Sequence, residues 1–367
     1  MSEPIQPQLT NQPLNIQLLL DTLIQRDGSD LHFLVGSPPH LRVNGQLAPA
    51  ENTVPLTQEL AEQLIGSLLS PEQLEYLRAN KELDFGYQYN EQARFRVNVY
   101  YEKGQLAAAL RLIPTKIRTV DELGLPALFH QLSHFSQGLI LVTGPTGEGK
   151  STTLAAVIDE INHTRSEHII TVEDPIEFVY VPDKSIISQR EVNRDTHSWD
   201  LALRSALRED PDVVLIGEMR DFETIASAIT IAETGHLVLA TLHTATAAQT
   251  VDRIIDVFPA HQQDQVRMQL AATLRVVASQ RLVPRSSGGM QAVFELMIAN
   301  SAIRNLIREN KTHQIDNVIQ TSTADGMTLI ENDLLRLVQQ GVISKERAIM
   351  TAFRPTELNR LLGEGQP

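Results

Sequence analysis

Gly144-Pro145-Thr146-Gly147-Glu148-Gly149-Lys150-Ser151 stands between an apolar run, Leu139 to Val142, and a helix-like stretch, Thr152 to Asn162. Strand, glycine loop and helix in that order form the context of a phosphate-binding loop. A helix start presents unpaired backbone N–H groups and the positive end of the helix dipole, so successive amides wrap phosphate oxygens. On this reading Gly144, Thr146, Gly147, Gly149, Lys150, Ser151 and Thr152 form a cradle for ATP. Lys150 reaches the β- and γ-phosphates, and the Ser151 hydroxyl binds Mg2+. The competing reading is a plain glycine turn before a helix. With glycine near 7% of residues, the four fixed positions arise by chance in roughly one chain in a hundred of this size.

Downstream of the loop, strand-like segments (Leu139 to Thr143, His168 to Val172, Val213 to Ile216, Leu237 to Thr241) alternate with helix-length intervals, which predicts an α/β unit with a parallel sheet. Phosphoryl chemistry needs a metal ligand and a group to orient the attacking water, both at strand ends near the loop. Val213 to Ile216 runs into Gly217-Glu218, placing an acid where a Mg2+ ligand belongs. His168 to Val172 runs into Glu173-Asp174-Pro175-Ile176-Glu177, three acids within five residues. Glu177 and Glu218 are the candidates, set against the fact that most acids in a chain with 45 of them are merely solvated. His236 and His243 flank the Leu237 to Thr241 strand. A lone histidine is more often structural than catalytic, and spacing does not decide between the two roles.

Upstream, residues 14–112 mix helix-like Ile16 to Gln25, Leu60 to Leu69 and Pro71 to Ala79 with strand-like Leu31 to Val35, Leu41 to Val43, Phe85 to Tyr89, Phe95 to Tyr101 and Ala107 to Leu112, a small α+β domain with a turn at Asn44-Gly45. Residues 1–13 have little to bury and read as a disordered leader. Pro114 to Arg118 breaks the pattern and centres a linker over 113–121. An ATPase core over 122–285 and a helical region over 286–367 follow. Arg94, Arg96 and Arg111 lie on the N-terminal strands, as cations for a developing phosphate charge or as exposed arginines in surface pairs. In the stretch Ala302 to Glu309, Ile303, Leu306 and Ile307 form an apolar stripe and Arg304 and Arg308 share another face.

No apolar stretch approaches the ~18 residues of a membrane span, and the first residues lack a signal-peptide core, so the chain reads as cytoplasmic. The absence of cysteine removes disulfides and thiolate zinc sites. A net charge of -14 repels a phosphate backbone, so no nucleic acid partner is expected.

Four segments resemble the ordered signature boxes of the type II/IV secretion ATPases: the loop Gly144 to Ser151, the acidic box Thr171 to Phe178, the Walker B stretch Asp210 to Asp221 and the histidine box Thr234 to Thr244. Ala302 to Glu309 is similar to a C-terminal motif of the retraction ATPases of type IV pili. The resemblance implies a PAS-like N-terminal domain joined to a RecA-like P-loop ATPase domain, assembled as a homohexamer. Such a ring drives pilus retraction and twitching motility from the cytoplasmic face of the inner membrane, against a platform protein. It implies Glu177 as general base, Glu218 as Walker B acid and Mg2+ ligand, and His243 and His236 at the nucleotide site, with Arg96 and Arg111 as cations from the N-terminal domain. A RecA-type hexameric DNA translocase or helicase and a non-hydrolysing P-loop scaffold are the competing functions.

Three positions depart from the family pattern: Glu148 replaces the usual Ser, Asn193 the usual Gly, and the turn Tyr101-Glu102-Lys103-Gly104 is less basic. An anion beside the phosphate cradle predicts that the Glu148 side chain points outward and that ATP affinity is somewhat reduced. The helix stripe predicts that Ile303, Leu306 and Ile307 replaced together by Ala impair retraction while sparing nucleotide binding.

Overall fold

The computed structural model describes residues 14–43, 45–90, 93–113 and 116–363. The expected leader lies outside them, as do Asn44 of the expected turn and Pro114 and Thr115 of the expected linker. The chain divides into two units, residues 1–116 with 177–179 and residues 117–176 with 180–367.

The first unit runs α1 (Ile16–Gln25), β1 (Gly28–Phe33), β2 (His40–Val43), β3 (Gln46–Pro49), α2 (Gln58–Gly66), α3 (Pro71–Asn80), β4 (Glu82–Asn90), β5 (Ala93–Glu102) and β6 (Gln105–Ile113). Its strands form one antiparallel sheet in the order β3-β2-β1-β6-β5-β4. Side chains alternate across the sheet with period two. Phe95, Val97 and Val99 of β5 are buried in a core with Leu20 and Leu23 of α1 and Ile65 of α2, whereas Arg96 and Asn98 face out. Local signals place the helix starts. Ser70 caps α3 in a reciprocal capping box with Gln73, and Pro71 occupies the first turn, where its missing N–H has no intrahelical partner to lose. The β5–β6 hairpin turns at Lys103-Gly104 with φ of 52° and 82°, the two positive values of a type I′ turn.

The second unit contains α4 (Leu128–Leu132), β7 (Gly138–Thr143), α5 (Lys150–Thr164), β8 (His168–Glu173), β9 (Ile186–Glu191), α6 (Trp199–Ala206), β10 (Val213–Ile216), α7 (Phe222–Glu233), β11 (Leu237–Leu242), α8 (Ala247–Asp256), α9 (Ala260–Thr273), β12 (Leu274–Pro284), β13 (Met290–Ile298), α10 (Ser301–Arg308), α11 (Ile315–Thr321), α12 (Ile330–Gln339), α13 (Lys345–Thr351) and α14 (Pro355–Leu361). The sheet order is β13-β12-β7-β11-β10-β8-β9, parallel throughout except for the β12–β13 pair. Every residue of β7, β10 and β11 is buried, as expected of strands covered on both faces by helices. Leu139 and Leu141 join a core with Ile225 and Ile229 of α7, and the alternation sends Ile140 and Val142 to the opposite face. The β12–β13 hairpin carries the sheet beyond Arg285, and α12 to α14 pack on Val283 and Val293 through Ile330, Leu334, Leu337, Ala348 and Leu358. Among the described residues, no helix is long and apolar enough to cross a membrane.

Glu295 of β13 is a buried acid built into this packing. One carboxylate oxygen accepts the Ala247 amide at the start of α8 at 2.8 Å, while the other is buried without a hydrogen bond. Burial pushes its pKa up to about 7; the nearby acids Asp316 and Glu331 add to the rise, and the Ala247 amide and Arg354 oppose it. Between the unfolded value of 4.5 and about 7 the folded state holds a proton that the unfolded chain releases. The associated stability is present below 4.5 and is lost as pH rises through about 7. The shift corresponds to ~3 kcal/mol, read as an order of magnitude. Glu295→Gln is expected to flatten the stability profile between pH 5 and 8 and to exceed wild type at pH 8. Urea unfolding of both proteins at the two pH values checks this, and parallel profiles would contradict it.

Candidate active site

The carboxyl ends of the parallel strands form one edge of the second unit, where open α/β sheets hold their ligands. β7 ends at Thr143 and α5 begins at Lys150, so the glycine loop makes the whole connection. Gly144 lies at φ 142°, and a Cβ there would meet the Gln280 carbonyl oxygen at 2.4 Å, so the loop leaves β7 hard against β12. Gly149 caps α5 in the left-handed region at φ 76°, turning the chain so that the first α5 amides face the loop. Thr146 and Gly147 are exposed at the apex, and Ser151 and Thr152 are partly exposed in the first helical turn. Lys150 is 8% exposed, and its ammonium donates to the carbonyl oxygens of Gly144 at 2.8 Å and Pro145 at 2.9 Å. These bonds hold the loop closed around the lysine.

β10 and β11 are neighbours, and their ends bring together two of the expected residues. His243 Nε2 lies 3.2 Å from Glu218 Oε2, and Arg220 Nε pairs with Glu218 Oε1. Thr241 Oγ1 donates to the Gly217 carbonyl oxygen at 2.6 Å and the Met219 amide to the Thr241 carbonyl oxygen at 3.0 Å, locking the backbone that presents Glu218. Glu177 follows β8 in an exposed loop segment that groups with the first unit. The Ile176 amide just before it donates to Glu191 Oε2 of β9 at 3.2 Å. Asn193, after β9, lies at φ 66°, a conformation that glycine adopts freely and asparagine tolerates better than most residues. This accounts for Asn in place of the family's Gly.

Other expected residues lie elsewhere. His236 stands at the amino end of β11, its Nδ1 3.0 Å from both Thr234 Oγ1 and the Ile231 carbonyl oxygen. A strand of this length spans ~20 Å, so within one copy of the chain His236 is at the opposite sheet edge from the loop. In the first unit, Arg96 and Arg111 face each other across β5 and β6. Arg96 Nη2 pairs with Asp84 at 2.6 Å and Arg111 Nε with Asp30 at 2.9 Å. Asp30 has a lowered pKa; burial opposes the shift, and hydrogen bonds from Ser29 and Arg111 with the Arg111 charge outweigh it.

Pattern reading missed the β12 residues behind the loop. Gln280 is 2% exposed, and its side chain donates to the Glu148 carbonyl oxygen at 2.6 Å and accepts from Thr153 Oγ1 at 2.8 Å. Ser279 accepts from Thr143 Oγ1 at 3.0 Å. The available signal was the polar triplet Ser279-Gln280-Arg281 inside the otherwise apolar Val276 to Val283.

A glycine loop closed on a buried lysine, with an acid and a histidine at adjoining strand ends, defines a P-loop ATPase of RecA-like architecture. The chain belongs to the type II/IV secretion system protein family, whose match spans residues 83–288, and it is a nucleotide-binding ATPase. It is 47% identical over 335 residues to the type IV pilus retraction ATPase PilT of Pseudomonas aeruginosa, covering 91% of this chain and 97% of that protein. It is 48% identical over 311 residues to a twitching motility protein of Neisseria gonorrhoeae, covering 84% of this chain and 83% of that protein. A crystal structure of the pilus retraction motor PilT with bound ADP matches with a TM-score of 0.89 at 46% identity, covering 95% of this chain and 100% of that one.

Proposed function

We propose that this ATPase powers type IV pilus retraction as a homohexamer at the cytoplasmic face of the inner membrane, bearing on a platform protein. The carrying observation is end-to-end similarity to PilT, 91% of this chain against 97% of that protein. On this reading the exposed side of α10, with Ala302, Asn305 and Arg308 outward, is the surface offered to the platform.

The loop amides and the α5 N-terminus hold the phosphates, and the Lys150 ammonium leaves its two carbonyls for the β- and γ-phosphate oxygens. Ser151 Oγ and the Glu218 carboxylate supply oxygen donors, the ligand chemistry that Mg2+ takes. When bound, Mg2+ neutralises charge on the phosphate oxygens. His243 Nε2 and Arg220 Nε fix the orientation of Glu218. Glu177 accepts a proton from the attacking water, and Arg96 and Arg111 exchange part of their pairing with Asp84 and Asp30 for the developing charge.

Glu177→Ala is expected to lower ATP turnover by about 10²- to 10³-fold, the usual weight of a general base, with ADP affinity little changed. Turnover of both proteins with and without DNA, together with pilus retraction in cells carrying each, forms the test. Wild-type turnover no higher than the mutant's would favour a scaffold, and strong DNA stimulation a translocase.

A further inference from the structure

The ladder between β7 and β12 ends at the Thr143–Ser279 rung. Beyond that rung β12 continues, and the phosphate loop takes the place of β7 along its edge. Gly144 packs against the Gln280 carbonyl, and Gln280 Nε2 donates to the Glu148 carbonyl oxygen at 2.6 Å. Farther along, the Leu282 amide donates to Glu148 Oε2, and Arg281 Nη1 lies 3.4 Å from Glu148 Oε1. The Glu148 side chain therefore serves as an extra rung, with one oxygen on a strand amide and the other on a guanidinium. Both partners are largely shielded from water, with side-chain exposures of 19% for Glu148 and 29% for Arg281. Arg281 also stacks on an aromatic ring, its Cζ 5.3 Å from the Phe353 centroid, and Phe353 packs in the apolar cluster of the C-terminal helices. A serine at 148 ends at Oγ, two bonds short of the glutamate oxygens, and cannot span this gap.

We propose that Arg281 is a positioning residue for the phosphate loop, neutralising Glu148, holding its carboxylate on β12 away from bound phosphate, and linking the loop to the C-terminal helices through Phe353. The extra anion that would repel nucleotide is thereby turned into a mooring. The proposal rests on the loop binding nucleotide phosphate. Without Arg281, Glu148 is a shielded carboxylate with one hydrogen bond, beside a site for another anion.

The test measures ADP dissociation constants by calorimetry on the full chain at fixed Mg2+ and salt, with thermal unfolding of each variant alongside. Arg281→Ala is expected to weaken ADP binding about five- to tenfold in the wild-type background, the size of a solvent-screened repulsion between neighbouring like charges. In the Glu148→Ser background the same change is expected to shift affinity less than about twofold, because no carboxylate is left to restrain. Glu148→Ser alone is expected to bind within about twofold of wild type, in place of the affinity deficit expected from charge alone. Phe353→Ala is expected to act in the same direction as Arg281→Ala, and only when Glu148 is present. A purely structural role for Arg281 would weaken binding equally in both backgrounds, and that result overturns the proposal. Should Arg281→Ala fail to fold, Arg281→Gln, which keeps a long polar side chain and removes the charge, carries the same comparison. Lys150→Ala separates the two levels: ADP binding untouched by that change would defeat the nucleotide reading itself, whereas equal effects of Arg281→Ala in both backgrounds defeat only the mooring.

Discussion

Alanine at both Ile303 and Ile307 is expected to unfold the ATPase unit. The two side chains are 0% exposed and sit in the same core as Leu270 and Ala271 of α9 and Ile315 and Ile319 of α11. An Ile→Ala change in a packed core costs about 2–5 kcal/mol, so the pair approaches the ~5–15 kcal/mol that holds a typical domain folded. The two residues lie one helical turn apart and share partners, so their effects need not add. This overturns the expectation that the Ile303, Leu306 and Ile307 triple substitution spares nucleotide binding. Ile303 and Ile307 form the buried face of α10, with Leu306 packed partly buried beside them, and removing the stripe is expected to take the nucleotide site with it. Urea unfolding and ADP binding should both show the loss, and a double mutant with wild-type unfolding and ADP affinity would refute it. Arg308→Ala on the exposed face provides the contrast. Its stability is expected to stay within about 0.5 kcal/mol of wild type while pilus retraction falls.

Lys150→Ala is expected to reduce ATP turnover by about 10³-fold or more and to weaken ADP binding, through two losses. The ammonium that would meet the phosphates disappears, and the carbonyls of Gly144 and Pro145 lose the donor that closes the loop. Lys150→Arg keeps the charge, but a planar guanidinium cannot occupy the compact position between two carbonyls, so recovery is expected to be partial. Steady-state ATPase assays with parallel ADP titration check both variants. Turnover within tenfold of wild type for Lys150→Ala would remove the lysine from the chemistry.

The sequence located the strands β7, β8, β10 and β11 because they are short apolar runs ending at recognisable loops. β12 and β13 were harder to read. β12 follows α9 directly, and both strands carry buried polar residues, Ser279 and Gln280 in one and Glu295 in the other, that interrupt an apolar pattern. Those residues are tolerated because each finds a partner from a distant segment: Thr143, Thr153 and the Ala247 amide. His236 shows a different gap. Flanking a core strand looked equivalent at its two ends, yet only the carboxyl end of β11 adjoins the loop that follows the parallel β7.

What the sequence by itself determined is the local chemistry: a glycine loop between strand and helix, a lysine and a serine at the helix start, and acids after two buried strands. Backbone conformation over eight adjacent residues is encoded by those residues, so the loop is legible in isolation. What only the tertiary structure decided is direction. The Glu148 carboxylate turns onto Arg281 and Leu282, more than 130 positions away. The apolar stripe of α10 turns into the core, and Arg96 of β5 and Arg111 of β6 turn onto Asp84 and Asp30. The orientation of a charged or apolar side chain is set by the partner that offsets its desolvation or shares its burial, and for each of these the partner comes from another part of the fold.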